Sequence, residues 1–291
     1  MKIKVLVENT SVSDEIASAH GLSLYVETLG HKILFDAGPN DLFLKNAQKL
    51  GVNVGDVDFM ILSHGHYDHG DGIPTFLEAN REAKVHVQRG AFDNYYAHDP
   101  DQVRAIGITA GGFGENLSPT DAERLVQKEC GSIEEGRFVM HSGDYVLAPG
   151  IQIFSGVTGR KCYSKSNDTL FMEQSGAQIP DKFTHEQNLL ITEDGKHVLI
   201  AGCAHNGIVN IMEKAAEILG QMPDYVISGF HLMNPDAEVS RAAAREIAGY
   251  LKTFPSRYYT CHCTGLPAYE KLHDLLGERM KYLAAGMKIE I

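Results

Sequence analysis

Residues 63–72 read SHGHYDHGDG and place three histidines and one aspartate within six positions, directly after the apolar run VDFMIL. The cluster therefore stands where a predicted strand ends in a turn. His64 and His66 alternate along the chain and point to the same side of an extended backbone, and Asp68 and His69 follow after the turn. Neutral imidazoles and a carboxylate are good ligands of zinc, iron and manganese, and binding offsets the cost of burying them. The stretch predicts a metal site, with a polar surface turn as the alternative interpretation.

Short apolar strands alternate with amphipathic helices on both sides of this stretch. The strand-like runs include KIKVLV, HKILFDAG and VDFMILS in the first half and KHVLIAG, DYVISG and RYYTCH in the second, with helical segments such as GIVNIMEKAAEILGQ between them. Asp194 and Gly195 predict a tight hairpin turn between two strands. The predicted fold class is α/β, with helices outside, sheets inside and the polar clusters at strand ends, where such folds place their chemistry.

The pattern is loosest between residues 91 and 144. The runs NYYAHDPDQ and GITAGGFGEN are typical of loops, and SPTDAERLVQKECG predicts one helix with Ser118 as its N-cap and Pro119 at its first position. Long irregular segments within compact domains are often functional. We therefore predict that residues 91–144 are an insertion that forms a lid over a site.

Length and composition indicate an ordinary globular protein. The 291 residues, 43% of them hydrophobic and 22% charged, suit one large α/β domain, and the formal net charge of -12 argues against nucleic-acid and membrane partners. No uninterrupted apolar stretch is long enough to cross a bilayer, and MKIKVLVENT predicts a first strand rather than a signal peptide. The five cysteines, an odd number, do not suggest a disulfide framework. These features favour a cytoplasmic protein.

The HxHxDH motif at residues 64–69 resembles the signature of the metallo-β-lactamase superfamily, and the resemblance extends over most of the chain. ILFDAG is similar to the first motif of that superfamily, with Asp36 in its supporting place. GCAHNGIVNI, GFHL and CHCTG resemble more narrowly a branch of metal-dependent hydrolases related to a dihydropterin-ribofuranosylaminobenzene-phosphate synthase. The resemblance implies a single domain over residues 1–291, folded as a four-layer αββα sandwich with a two-metal site.

The later ligands depart from the superfamily pattern at one position. Cys203 stands where an aspartate that bridges both metals is expected, and it either bridges as a thiolate or packs beneath the site. His205 is the expected histidine ligand, with His185 as the alternative, and His262 at a strand end is the expected last ligand. The resemblance implies two divalent ions, one bound by His64, His66 and His205 and the other by Asp68, His69 and His262.

The resemblance also implies a chemistry. Each ion keeps an open side, which is typical of catalytic sites, and a water between two cations loses a proton near neutral pH. A metal-bound hydroxide oriented by Asp68 is the expected nucleophile, and His231 is the expected proton donor or substrate ligand, unless it only ties down its loop. We predict a hydrolase of a small anionic ester, favouring a phosphoester, with zinc as the metal and manganese or iron as alternatives.

Two other functions stay open. The branch resemblance suggests a transferase or synthase that joins a pterin-type group to an aminobenzene ribosyl phosphate, with the metals stabilising a phosphate leaving group. With iron bound, the same ligands suit a di-iron redox protein, although such proteins normally bring a flavin domain for which this chain has no room. The substrate is expected to be a small molecule, and the sequence does not indicate the oligomeric state.

Overall fold

The computed structural model describes residues 1–108 and 136–291, which form two compact units. The first unit comprises Met1–Ser142, Thr169–His185 and Ala284–Ile291, and the second comprises Gly143–Asp168 and Glu186–Leu283. The predicted helix that begins at Ser118 lies outside the described residues. The prediction of a single domain over the whole chain stays a prediction.

Short strands dominate both units. In chain order they are β1 (Lys2–Val7), β2 (Ser23–Thr28), β3 (His31–Phe35), β4 (Phe59–Ile61), β5 (Lys84–Gln88), β6 (Tyr95–Asp99), β7 (Gln102–Ala105), β8 (Phe138–His141), β9 (Tyr145–Ala148), β10 (Ile151–Ser155), β11 (Leu170–Gln174), β12 (Ala177–Pro180), β13 (Gln187–Glu193), β14 (Lys196–Ile200), β15 (Tyr225–Ser228), β16 (Arg257–Thr260), β17 (Met280–Tyr282) and β18 (Lys288–Glu290). The described α-helices are α1 (Leu42–Lys49), α2 (Tyr67–Gly70), α3 (Ile73–Ala79), α4 (Ile208–Leu219), α5 (Ala237–Leu251) and α6 (Leu266–Leu276).

Each unit contains one seven-stranded sheet. The order is β18-β1-β2-β3-β4-β5-β8 in the first unit and β17-β16-β15-β14-β13-β10-β9 in the second. Strands β3, β4 and β5 run parallel, and so do β14, β15 and β16. The carboxyl ends of such strands meet at one edge of a sheet, which is where α/β folds bind ligands. The predicted α/β class is confirmed.

Helices cover each large sheet with apolar side chains. In the first unit, Phe43 of α1 and Phe76 of α3 belong to the same buried cluster as Leu34 and Met60 of the sheet. In the second unit, buried residues of α4, α5 and α6 pack with residues of β14 and β15. Burying a Phe or Leu side chain contributes about 1.5–3 kcal/mol, so these clusters hold the strand ends in place.

The hairpin predicted at Asp194 and Gly195 joins β13 to β14. Their φ angles are 52° and 75°, and two consecutive positive values are those of the type I′ turn that Asp-Gly favours. This prediction is confirmed.

The described parts of segment 91–144 are more regular than the sequence suggests. Strands β6 and β7 form a hairpin within a four-stranded sheet of order β12-β11-β6-β7, and β8 joins the large sheet of the first unit. All four residues of β7 are exposed, so this strand has no buried face, although its sequence QVRA alternates polar and apolar residues. Residues 109–135 lie outside the described part, and the lid stays a prediction.

Among the described residues, no helix is long and apolar enough to span a membrane. The cytoplasmic location and the lack of nucleic-acid and membrane partners stay predictions.

The buried pair of His86 and His141 predicts a loss of stability on acidification. Nδ1 of His86 lies 2.9 Å from Nε2 of His141, and burial, together with the charges of His141 and Lys84, lowers the pKa of His86 to about 4. An unfolded histidine has a pKa of about 6.5, so the unfolded chain binds more protons than the folded one between these two values. The free energy of unfolding therefore does not depend on His86 above about pH 6.5. It is expected to fall by about 3 kcal/mol as the pH drops from there to about 4, because His86 must stay neutral in the folded protein.

Urea-induced unfolding of the wild type and of the His86→Phe variant across this pH range measures the effect. Since phenylalanine does not titrate, the stability advantage of the wild type over the variant should shrink as the pH falls. If the difference in unfolding free energy between the two proteins stays constant with pH, His86 does not contribute to the loss of stability in acid.

Candidate metal centre

The HxHxDH stretch lies at the carboxyl edge of the first large sheet. Strand β4 ends at Ile61, and the chain turns through His64 and His66 before entering the short helix α2. His66 is extended, with φ −97° and ψ 147°, and is the residue that precedes that helix. Asp68 and His69 lie within the helix, so the turn brings all four predicted ligands of this stretch to one edge.

The four side chains are buried and close together. The ring centroids of His64 and His66 are 4.5 Å apart and those of His64 and His69 are 4.2 Å apart. Nε2 of His64 lies 3.1 Å from Nδ1 of His66, and Oδ2 of Asp68 lies 3.7 Å from Nε2 of His69. No more than 7% of any of the four residues is exposed. Burying so many polar groups is costly unless they find partners, and a cation would be a partner for both the imidazole lone pairs and the carboxylate.

Buried groups outside the cluster fix which ring nitrogen carries the proton. Asp36, which follows β3, accepts hydrogen bonds from the Ser63 N–H (2.7 Å), the Ser63 hydroxyl (2.7 Å) and Nδ1 of His69 (2.6 Å). Because the hydroxyl proton of Ser63 goes to this carboxylate, the Ser63 oxygen accepts from Nδ1 of His64 at 2.9 Å. Nε2 of His64 and of His69 therefore carries a lone pair, the form in which imidazole binds a metal.

The environment of His66 favours the same form. Burial, with a contribution from the nearby His185, lowers the pKa of His66 to about 3. The imidazole is therefore neutral at neutral pH, and a neutral ring can donate a lone pair to a cation.

His185, the predicted alternative to His205, lies in the first unit and uses both ring nitrogens within the protein. The Gly65 N–H donates to Nδ1 at 2.9 Å, and Nε2 lies 3.2 Å from Oδ2 of Asp181. Although burial raises the pKa of Asp181, its interaction with His185 and its hydrogen bond from the Phe183 N–H outweigh this effect and hold that pKa below its usual range. Asp181 therefore remains a carboxylate and an acceptor.

In the second unit, the remaining predicted residues follow three neighbouring parallel strands. Cys203 and His205 follow β14, His231 follows β15 and His262 follows β16. Three loop residues, Ala204, His231 and His262, have φ angles of 56°, 48° and 49°. Non-glycine residues with such angles cost conformational energy and are concentrated at functional sites.

His205 is positioned in the same way as the histidines of the first unit. Its Nδ1 donates to Oδ1 of Asn167 at 3.0 Å, and the Asn167 amide donates to the carbonyl of His205 at 2.8 Å. The carboxylate of Glu186 accepts the backbone N–H of His205 at 2.6 Å. Nε2 of His205 is therefore left with the lone pair.

The second unit also gathers two thiols beside His231. The ring centroid of His231 lies 4.3 Å from that of His205, and the potential ligand atoms of Cys203, His231 and Cys263 lie within 4.8 Å of one another. Burial would raise the pKa of the Cys263 thiol, but hydrogen bonds with Cys203 and His231 and the charge of His262 outweigh it and hold that pKa well below its usual range. Cys203 is thus packed among sulfur and imidazole, and its ligation of a metal stays a prediction.

Sequence reasoning missed the residues that hold these histidines. Asn167, Asp181 and Glu186 are buried polar residues. Asn167 and Glu186 lie 38 and 19 positions from His205, whereas Asp181 lies four positions from His185. A buried acid or amide has no periodic pattern, so no sequence signal distinguishes it from an exposed one.

Comparisons with known sequences agree with this geometry. A model of the metallo-beta-lactamase superfamily matches residues 19–154. The uncharacterized protein MJ0448 of Methanocaldococcus jannaschii is 32% identical over 277 residues, which cover 94% of this chain and 94% of that protein. The 7,8-dihydropterin-6-methyl-4-(beta-D-ribofuranosyl)-aminobenzene-5′-phosphate synthase of the same organism is 29% identical over 303 residues, covering 100% of this chain and 96% of that protein.

Solved structures share the fold over the whole chain. Tm1679, a metal-dependent hydrolase of the beta-lactamase superfamily, superposes with a TM-score of 0.74 at 24% identity, covering 100% of this chain and 99% of its own. Zn²⁺-bound PqqB from Methylobacterium extorquens gives a TM-score of 0.60 at 12% identity and covers 100% of both chains. The predicted metallo-β-lactamase fold is confirmed.

Proposed function

The chain belongs to the metallo-β-lactamase superfamily, in the branch related to the dihydropterin-ribofuranosylaminobenzene-phosphate synthase, and from that membership we propose a metal-dependent hydrolase of small anionic esters. One observation carries the proposal. His64, His69 and His205 each have Nδ1 at 2.6–3.0 Å from a buried oxygen, which assigns the ring proton to Nδ1 and the lone pair to Nε2. Such outer partners orient histidine ligands and make them more basic, so the donor set suits a divalent cation.

The proposed ligands follow the superfamily resemblance. They comprise two sets of three residues for two divalent ions, with zinc first and manganese or iron as alternatives. One ion is assigned to His64, His66 and His205, and the other to Asp68, His69 and His262.

The chemistry follows from these assignments. When bound, divalent cations supply a nucleophile from water at neutral pH and stabilise negative charge on a carbonyl or phosphoryl oxygen. Asp68 is assigned to orient the attacking water, and Nε2 of His20 lies 3.3 Å from its carboxylate and restricts its rotation. His231 is assigned to donate a proton to the leaving group.

A basic loop in the second unit supports an anionic substrate. Residues 160–165 carry three cations, although the chain as a whole has a net charge of -12. The Ser164 hydroxyl donates to the carbonyl of His231, and Asn167 bonds to His205, so this loop is fixed to two of the assigned site residues. The exposed side chains of Arg160 and Lys165 would attract a phosphoester.

A pterin-related synthase is the second candidate. The observation that favours it is the 29% identity with the synthase of Methanocaldococcus jannaschii over the full length of this chain. In that case the cations would stabilise a phosphate leaving group. Metal analysis of the purified protein addresses the di-iron alternative, because redox-active iron would be present in place of zinc or manganese.

A substrate panel tests the proposal. The purified protein is assayed with phosphomonoesters, phosphodiesters, an uncharged lactone and a pterin pyrophosphate, before and after treatment with a chelator. We expect a phosphoester to be hydrolysed faster than the lactone, and we expect turnover to disappear on chelation and to return with zinc or manganese. If no ester reacts while the pterin pyrophosphate is consumed, the hydrolase is rejected in favour of the synthase.

A further inference from the structure

A buried Asp–His pair in the first unit contacts the backbone between two assigned metal ligands. Asp181 and His185 are 8% and 0% exposed and follow β12. The backbone N–H of Asp181 donates to the carbonyl of Leu170 at 3.0 Å, which ties the pair to the four-stranded sheet. His185 reaches from there to Gly65, the residue between His64 and His66.

The hydrogen bonds of this pair define one tautomer. Since the Gly65 N–H is a donor, Nδ1 of His185 is the acceptor, and the ring proton is on Nε2, which donates to Oδ2 of Asp181. The other carboxylate oxygen, Oδ1, accepts from the Phe183 N–H at 2.7 Å. Oδ1 of Asp181 therefore accepts from the Phe183 backbone, and Oδ2 accepts from the His185 ring.

Gly65 is closely packed against neighbouring backbone and side-chain atoms. Its carbonyl accepts from the Ile108 N–H at 3.1 Å, and a Cβ at this position would lie 2.2 Å from the carbonyl oxygen of Ala91. The same Cβ would lie 3.0 Å from the ring of Tyr95. The two peptide groups of Gly65 therefore have one orientation, and that orientation sets the directions in which the flanking histidines leave the backbone.

We propose that His185 is a positioning residue of the metal centre, kept in its Nε2-protonated tautomer by Asp181 so that it fixes the Gly65 peptide and aims His64 and His66 at one ion. This inference rests on the metal site assigned under the proposed function, but not on the substrate or the reaction. His185 is assigned no ligand role, because Nδ1 accepts from the Gly65 N–H and Nε2 lies 3.2 Å from Oδ2 of Asp181. Outer residues of this kind typically contribute about 10- to 100-fold to metal affinity.

The test is the Zn²⁺ affinity and stoichiometry of the full chain, measured by competition with a chromophoric chelator. We expect His185→Leu to bind the same number of ions as the wild type, with affinity about 10- to 100-fold weaker. His185→Asn should recover part of the loss, because its Oδ1 lies near the position of Nδ1 and can accept the Gly65 N–H. The matched control is His86→Leu, which removes another buried histidine of the same unit and should leave the affinity unchanged.

Asp181→Asn provides a second, nearly isosteric variant. Phe183 N–H and Nε2–H of His185 both need an acceptor, and an amide offers only one oxygen. If the amide group turns its NH₂ toward His185, the ring proton moves to Nδ1 and opposes the Gly65 N–H. We expect weaker Zn²⁺ binding and a changed ¹⁵N chemical shift of the His185 ring in the NMR spectrum.

Three results would overturn the inference. His185→Leu could bind Zn²⁺ as tightly as the wild type, it could bind one ion fewer, which would make His185 a ligand, or the wild type could bind no Zn²⁺. Should His185→Leu fail to unfold cooperatively, His185→Asn and Asp181→Asn decide the question by the same criteria. A wild type that binds Zn²⁺ but hydrolyses no ester rejects the hydrolase and leaves this inference standing.

Discussion

Replacing His64 with alanine is expected to lower kcat/KM for the best ester substrate by about a thousand-fold or more. His64 is 1% exposed, and Ser63 holds its Nδ1 so that Nε2 carries the lone pair. The variant loses an assigned ligand and leaves a cavity that water can enter. A bound cation stabilises transition-state charge by several kcal/mol, and each 1.36 kcal/mol changes a rate about tenfold.

Steady-state kinetics and the metal content per chain, measured on the same samples, check this result. His31→Ala is the control, because His31 is a half-exposed histidine of the same unit that lies near Asp58 and outside the cluster. It should keep both metal and activity. A His64→Ala protein that retains its ions and its rate would remove His64 from the site, and recovery of the rate with excess zinc would limit its role to affinity.

The sequence predicts the site residues of the first unit well, because these assigned ligands are close together in the sequence. Four ligand-type residues within six positions cannot be explained by surface polarity alone, and a strand end before a turn brings them together without any distant contact. The supporting role of Asp36 is predicted only by the resemblance of ILFDAG to the first motif of the superfamily. In the structure Asp36 follows β3 and accepts a hydrogen bond from Ser63, which follows the neighbouring parallel strand.

The residues that orient the ligands could not be predicted in this way. Asn167 contacts His205 across 38 positions of sequence, and His185 contacts Gly65 across 120. Such contacts depend on how loops that follow different strands approach one another. The hydrophobic periodicity of a single sequence does not indicate that approach. Pairing likewise accounts for β7, whose four residues are all exposed and which is held by its hydrogen bonds to β6.

The second large effect is expected at Asp36, which is fully buried and accepts three hydrogen bonds from Ser63 and His69. Asp36→Asn keeps the size of the side chain, and asparagine tolerates the positive φ of 59°. Its amide has one acceptor oxygen, so at least one buried donor loses its partner, at a cost of about 1–3 kcal/mol. Asp36→Ala loses all three bonds and is expected to cost about 3 kcal/mol or more.

The two Asp36 variants separate stability from metal binding. Urea-induced unfolding in the presence of a chelator gives the stability of the metal-free protein, and Zn²⁺ titration of the folded variants gives the affinity. We expect Asp36→Asn to weaken Zn²⁺ binding about 10- to 100-fold, because His69 loses the acceptor that keeps its proton on Nδ1.

Asp41→Asn is the control for Asp36→Asn, since Asp41 is an exposed carboxylate of the same unit that pairs with Lys45 on the surface. An exposed pair of this kind contributes about 1 kcal/mol at most, so this variant should match the wild type closely in both measurements. If Asp36→Asn also matches the wild type, the carboxylate is not what orients His69. If it loses stability but keeps its Zn²⁺ affinity, Asp36 supports the fold and His69 reaches the metal without its help.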